Sequence, residues 1–124
     1  MAKVTVLTYG GEEWAAGRMV GETSTNGAYV GWGTGSGTAT KADTALFTPA
    51  SEARVLGTVS LEGSGVSAAY QVEVTLSANA PKTITNAGNF TALTGGTLIV
   101  HGSFDGIDLE EDDQVTFTIT IDPS

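Results

Sequence analysis

The chain has 124 residues, 17 of them glycine and none cysteine, which is the size of one domain able to bury about two-thirds of its unfolded surface without disulfides or a structural metal. Five Lys plus Arg against fourteen Asp plus Glu leave a net charge of −9, which works against binding a phosphate backbone, so no nucleic acid partner is expected. A charged fraction of 15% with adequate aliphatics excludes the profile of a disordered chain, and the absent thiols exclude a disulfide framework or a thiolate metal site.

The amino terminus has no apolar core after a basic start, and no apolar run approaches the ~18 residues of a membrane span. The expectation is a soluble protein made in the cytoplasm, with no membrane partner. Val4 to Tyr9 alternates as a first strand or an extended arm, and Gly10-Gly11 suggests a turn. Glu12 to Val20 is the one expected helix: acids occupy its first turn, and Trp14 can share a face with Arg18, or Ala15 with Met19. Gly21 to Gly27 reads as a polar connector, Ala28 to Gly33 as a short apolar strand, and the TGSGT segment that follows as irregular.

Thr40 to Thr48 is expected to hold one helical turn before a boundary at Pro49. Arg54 to Leu61 reads as one strand with Val55, Gly57, Val59 and Leu61 on one face. After a turn at Glu62 to Gly65, Ser67 to Ser77 is a clear strand, with Tyr70, Val72, Val74 and Leu76 opposite Gln71, Glu73 and Thr75. Asn79 to Pro81 breaks it, and Thr83 to Phe90 follows as a short strand or bend. The last quarter reads as a hairpin: Thr97 to Phe104, the acidic connector DGIDLEEDDQ, and Val115 to Ile121, where Val115, Phe117, Ile119 and Ile121 alternate with threonines. Short strands punctuated by glycine, proline and asparagine predict an all-β fold, an antiparallel β-sandwich or jelly-roll-like barrel with at most one or two short helices. Residues 1–27 form an N-terminal arm or strand with its helix, 28–124 the sandwich, and the whole is one compact domain.

Four features invite a chemical reading. The glycine-rich Gly31 to Thr38 lacks the Gly-Lys-Ser/Thr ending of a phosphate loop and the strand-to-helix context of a dinucleotide loop, so it is expected to be a flexible or tightly turned surface loop that carries Trp32 against the core. Asp105, Asp108, Glu110, Glu111, Asp112 and Asp113 put six carboxylates within nine residues, but not in EF-hand order; a solvated tip is expected, with a cation site or a basic partner as the alternative. His101 is the only histidine, and nothing beside it in sequence makes a catalytic triad. Glu52, Glu62 and Glu73 are the acids that could approach one another in three dimensions as a glycosidase pair, although nothing in the sequence favours it. Trp14, Trp32, Tyr29 and Tyr70 are expected as core or interface anchors, and the glycosylation sequon at Asn89 as accidental. No catalytic, cofactor-binding or metal-binding residue is assigned.

The run Tyr29-Val30-Gly31-Trp32-Gly33-Thr34-Gly35, then Asp43-Thr44-Ala45-Leu46 and Arg54-Val55, resembles a pattern in small structural proteins of tailed bacteriophages. So do Ile84 to Phe90, Gly95-Gly96-Thr97-Leu98, Ser103-Phe104 and Asp113 to Phe117, so that the resemblance covers about three-quarters of the chain, mostly through glycines and strand apolars. It implies a non-enzymatic virion protein, foremost a capsid decoration (cement) protein that clamps the major capsid protein lattice at the capsid surface, often as a homotrimer. The alternative it leaves is a tail, fibre or baseplate component. The acidic loop departs from the pattern, since such proteins often carry a shorter and less charged one.

Overall fold

The computed structural model describes residues 4–21, 27–62 and 69–121. Among these the chain forms β1 (Val4–Leu7), α1 (Tyr9–Met19), β2 (Tyr29–Gly33), β3 (Val55–Leu56), β4 (Thr58–Glu62), β5 (Ala69–Ser77), β6 (Lys82–Phe90), β7 (Leu98–Leu109) and β8 (Gln114–Ile121). A five-stranded sheet in the order β1-β7-β6-β2-β3 packs on a three-stranded sheet in the order β4-β5-β8, and every pairing is antiparallel. Of the expected all-β folds, an antiparallel sandwich or a jelly-roll-like barrel with at most one or two short helices, the sandwich is observed, with one short helix among the described residues. No described helix is long and apolar enough to cross a membrane.

Alternation builds the core. Val72, Val74 and Leu76 on β5 turn inward, as their pattern predicts, and meet Val30 and Trp32 of β2 with Ile84 and Ala87 of β6. Val115, Phe117 and Ile119 of β8 pack at the margin of this cluster, while the intervening threonines face solvent. A second cluster joins Trp14 of α1 to Ile99 and Val100, with Trp14 set edge-on to Tyr70 at 5.4 Å between ring centroids.

The chain departs from the expected layout where pattern alone does not choose a partner. The closing segments are not a hairpin. β7 runs on through Asp105 and Asp108 to Leu109, pairing Ile107 with Ile84 and Leu109 with Lys82, and β8 crosses to the other sheet to pair with β5, Val115 opposite Leu76 and Ile119 opposite Val72. The burial of Leu109 draws β7 past the first acids, and the Glu110 to Asp113 turn is tied to the end of β5 by Asp112 N–H to the Ala78 carbonyl (2.8 Å) and Ala78 N–H to the Asp113 carbonyl (2.9 Å).

Arg54 to Leu61 is likewise two strands in different sheets. The change occurs at Gly57, whose N–H reaches the Ala28 carbonyl at 2.7 Å and where a Cβ would lie 2.7 Å from Val72 and 2.9 Å from the Glu73 carbonyl oxygen. Gly10-Gly11 is not a turn but the start of α1. Thr8 caps the helix by accepting the Gly11 N–H at 2.9 Å, and Gly11 is needed because a Cβ would come within 2.2 Å of the Ile99 carbonyl oxygen. Thr40 to Thr48 holds a turn at Lys41-Ala42 and no helix, and Lys82–Phe90 is a full strand between β2 and β7 rather than a bend. Most of the connectors expected at Gly21 to Gly27 and Glu62 to Gly65 lies outside the described residues.

Candidate functional site

The face of the larger sheet turned away from the smaller one carries a glycine trough. Gly31 and Gly33 of β2 and Gly88 of β6 leave their sites bare, and the segment from Leu46 to Thr48 lies in the space. A Cβ on Gly33 would come within 2.3 Å of the Phe47 carbonyl oxygen, and one on Gly88 within 2.4 Å of the Val100 carbonyl oxygen and 3.4 Å of the Leu46 side chain. The strap is hydrogen-bonded as well as packed: Thr34 N–H donates to the Thr48 carbonyl and Gly35 N–H to the Phe47 carbonyl, both at 3.0 Å. Of the run expected as a flexible or tightly turned surface loop, residues 34–38 are irregular and partly exposed, as expected, but their start is pinned to the strap. Trp32 does reach the core as expected, but Gly31 and Gly33 are strand residues, and the Thr34 and Gly35 amides that a phosphate would need are committed to carbonyl oxygens.

Beneath the strap lies a buried polar chain. His101 is fully buried; its Nδ1 is 2.7 Å from Asp43 Oδ2 and its Nε2 is 3.0 Å from Asn86 Oδ1. Asn86 is oriented by Phe47, accepting its N–H at 3.0 Å and donating to its carbonyl at 3.1 Å, and the Phe47 ring lies 4.7 Å from the imidazole. Both ring nitrogens are engaged by side-chain oxygens, so the imidazole is held from both sides. Burial works to raise the Asp43 pKa, but the Thr40 amide, the His101 ring and the Thr40 hydroxyl outweigh it and hold the carboxyl below its usual range. An Asp-His pair supplies two of a triad's three members, yet the far nitrogen meets an amide oxygen instead of a nucleophile. The chain ties the strap to β6 and β7.

The open side of the sandwich offers a different kind of site. Among the described residues β8 is paired on one side only, by β5, and a groove of about 650 Å³ runs along its other side. Val100, Gly102 and Phe104 of β7 with Thr5 of β1 form the floor, and Val115 to Thr120 form one wall. Phe117, 6.3 Å from both Phe104 and Trp32 between ring centroids, fixes the depth of the wall. Asp105 lies on the opposite wall, and the exposed Glu110, Glu111, Asp112 and Asp113 stand at the N-terminal end of β8.

The acids do not act as one cluster. Asp108 accepts the Thr83 hydroxyl at 2.6 Å, Asp113 caps the Glu110 N–H at 2.8 Å, and among the described residues no three His, Asp or Glu side chains gather as metal ligands. Glu52 and Glu73 do not form a carboxylate pair: Glu73 is exposed on β5, whereas Glu52 receives Trp32 Nε1 at 2.9 Å, the Asn79 N–H at 2.8 Å and the Lys82 ammonium. The Glu62 side chain lies outside the described residues. Asn89 of the sequon is buried, giving its amide to the Gly27 carbonyl at 2.7 Å and accepting the Val100 N–H at 3.1 Å, a placement closed to a glycan. Of the named aromatics, Trp14 and Trp32 are buried, and Tyr29 and Tyr70 are half-buried.

Asp43, Asn86 and the β8 groove were not foreseen. Asp43 and Asn86 stand 58 and 15 residues from His101, and the one local signal was asparagine inside a strand, a residue depleted there unless its side chain is used. Comparison of the chain with protein-family models, with curated proteins and with solved structures gives no match.

Proposed function

We propose that this chain is a non-enzymatic structural protein of a tailed-bacteriophage virion, a capsid decoration protein that works by burying surface against the major capsid protein lattice. The observation that carries the binding part of this reading is the β8 edge beside a largely apolar groove, a strand that carries no charge from Gln114 to Ile121 and whose outer edge has no paired neighbour among the described residues. The commitment of both His101 nitrogens to Asp43 and Asn86 supports a scaffolding role for the one histidine. The virion part rests on the resemblance of the Tyr29 to Gly35 and Ile84 to Phe90 segments.

Quantitative mass spectrometry of purified particles tests it. A decoration protein is present at a copy number comparable to that of the major capsid protein and raises the temperature at which heads release DNA. A few copies confined to the tail would overturn the capsid assignment. Light scattering of the isolated chain would show three times 12.6 kDa for the homotrimer that the resemblance implies.

A further inference from the structure

We infer that the groove beside β8 receives an extended segment of a partner protein, added as a fourth strand to the smaller sheet and carrying lysine or arginine where it passes the acidic rim. The inference rests on the binding reading above and names the partner's chemistry.

Three observations carry it. First, the residues of β8 that line the groove, Val115 to Thr120, are consecutive, so the groove follows the backbone edge of the strand and not only one of its faces. Every second residue of an edge strand presents an unpaired N–H and C=O, and an added strand satisfies them with main-chain bonds while its side chains enter flanking pockets. Second, the floor has room. A Cβ on Gly102 would meet nothing closer than the Thr5 hydroxyl at 3.4 Å, in contrast to the backbone clashes at Gly33 and Gly88, so this glycine leaves depth that no described residue fills. Third, the charge is one-sided. Asp105 lines the wall, the exposed Glu110 to Asp113 immediately precede the strand whose edge borders the groove, no Lys or Arg lines it among the described residues, and β8 itself carries no charge. A second copy would bring its own acidic turn and a net charge of −9 to the same place, so complementarity selects a basic, extended partner over self-association.

The probe is a synthetic peptide of alternating valine and threonine flanked by two lysines at each end, with a twin carrying glutamates in place of the lysines. Titrated into the intact protein, the lysine peptide is expected to slow amide exchange at alternate residues of β8, and to lose about fivefold in affinity between low salt and ~0.3 M. The glutamate twin is expected not to bind. Glu110→Lys with Glu111→Lys should exchange the two preferences. Gly102→Val should abolish binding, with Gly102→Ala as the folding control. The inference is overturned if neither peptide binds, if both bind alike, if protection maps to β1 or β4, or if β8 becomes protected by the protein's own concentration, which would assign the groove to a second copy. Particle composition is read separately, so loss of peptide binding leaves the capsid assignment standing, and absence from heads leaves strand addition standing.

Discussion

The carboxylate of Asp43 sits 2.7 Å from the ring of His101, joining a surface turn to the middle of β7 across 58 residues of sequence. Asp43 is held in place by the Thr40 N–H at 2.8 Å and the Thr40 hydroxyl at 2.9 Å, so the turn at Lys41-Ala42 arrives preorganised and the histidine is its anchor point. One imidazole thus connects three elements that share no backbone ladder at that point: the 40–43 turn, Phe47 in the strap, and Asn86 on β6.

Replacing that anchor should be costly. His101→Leu keeps the approximate volume but removes one hydrogen-bond partner from each of Asp43 and Asn86 Oδ1, which keep only their Thr40 and Phe47 donors, and the loss of the two contacts should cost about 2 kcal/mol. Urea denaturation checks the value, and hydrogen exchange of the Phe47 amide should accelerate with it. Asp43→Asn, which keeps an acceptor toward the ring, should cost less than half as much.

The trough and the groove make opposite predictions for the same substitution. Gly33→Ala drives a methyl group to within 2.3 Å of a strap carbonyl, forcing the strap off the sheet at a cost of about 3 kcal/mol, whereas Gly102→Ala meets only ordinary contacts and should gain about 0.5 kcal/mol by restricting the unfolded chain. Equal denaturation midpoints for the two variants would refute the close approach between strap and sheet.

How much of this was legible in the sequence depends on the range of the interaction. The inward faces of β5 and β8 follow from period-2 alternation of Val72, Val74, Leu76 and of Val115, Phe117, Ile119, because that signal is local. Which strand each one joins is not local, so the final two strands looked like a hairpin although β8 belongs to the other sheet. Glycines carried two meanings with one spelling: Gly10 and Gly11 looked like a turn but sit in a helix pressed against Ile99, and Gly57 looked like a strand residue but is the corner between sheets. His101 was read without a partner, and its partners Asp43 and Asn86 came from segments that sequence order keeps apart.

The helix start depends on one hydroxyl. Thr8 Oγ1 accepts the Gly11 N–H at 2.9 Å and donates to the Leu98 carbonyl at 2.6 Å, and the residue is fully buried. Thr8→Ala should cost about 1–2 kcal/mol, with lost helical circular dichroism, and Thr8→Ser should recover most of it.

Acid should act first at Glu52. Its burial favours the neutral form, but the Lys82 ammonium, the Asn79 N–H and the Trp32 indole together outweigh burial and lower its pKa from 4.5 to about 2. A carboxyl with a folded pKa below its unfolded one binds fewer protons when folded, so its contribution is complete above pH 4.5 and disappears as the pH falls toward 2. That contribution is at most about 3 kcal/mol. Asp43, lowered in the same sense, adds to the loss below its ordinary value of 3.8. Stability measured by urea titration should therefore fall between pH 4.5 and 2. In Glu52→Gln, where the Lys82 partner is neutral at every pH, the protein should start less stable at pH 7 and show a shallower acid limb. An unchanged limb in that variant would place the acid sensitivity in the exposed carboxylates instead.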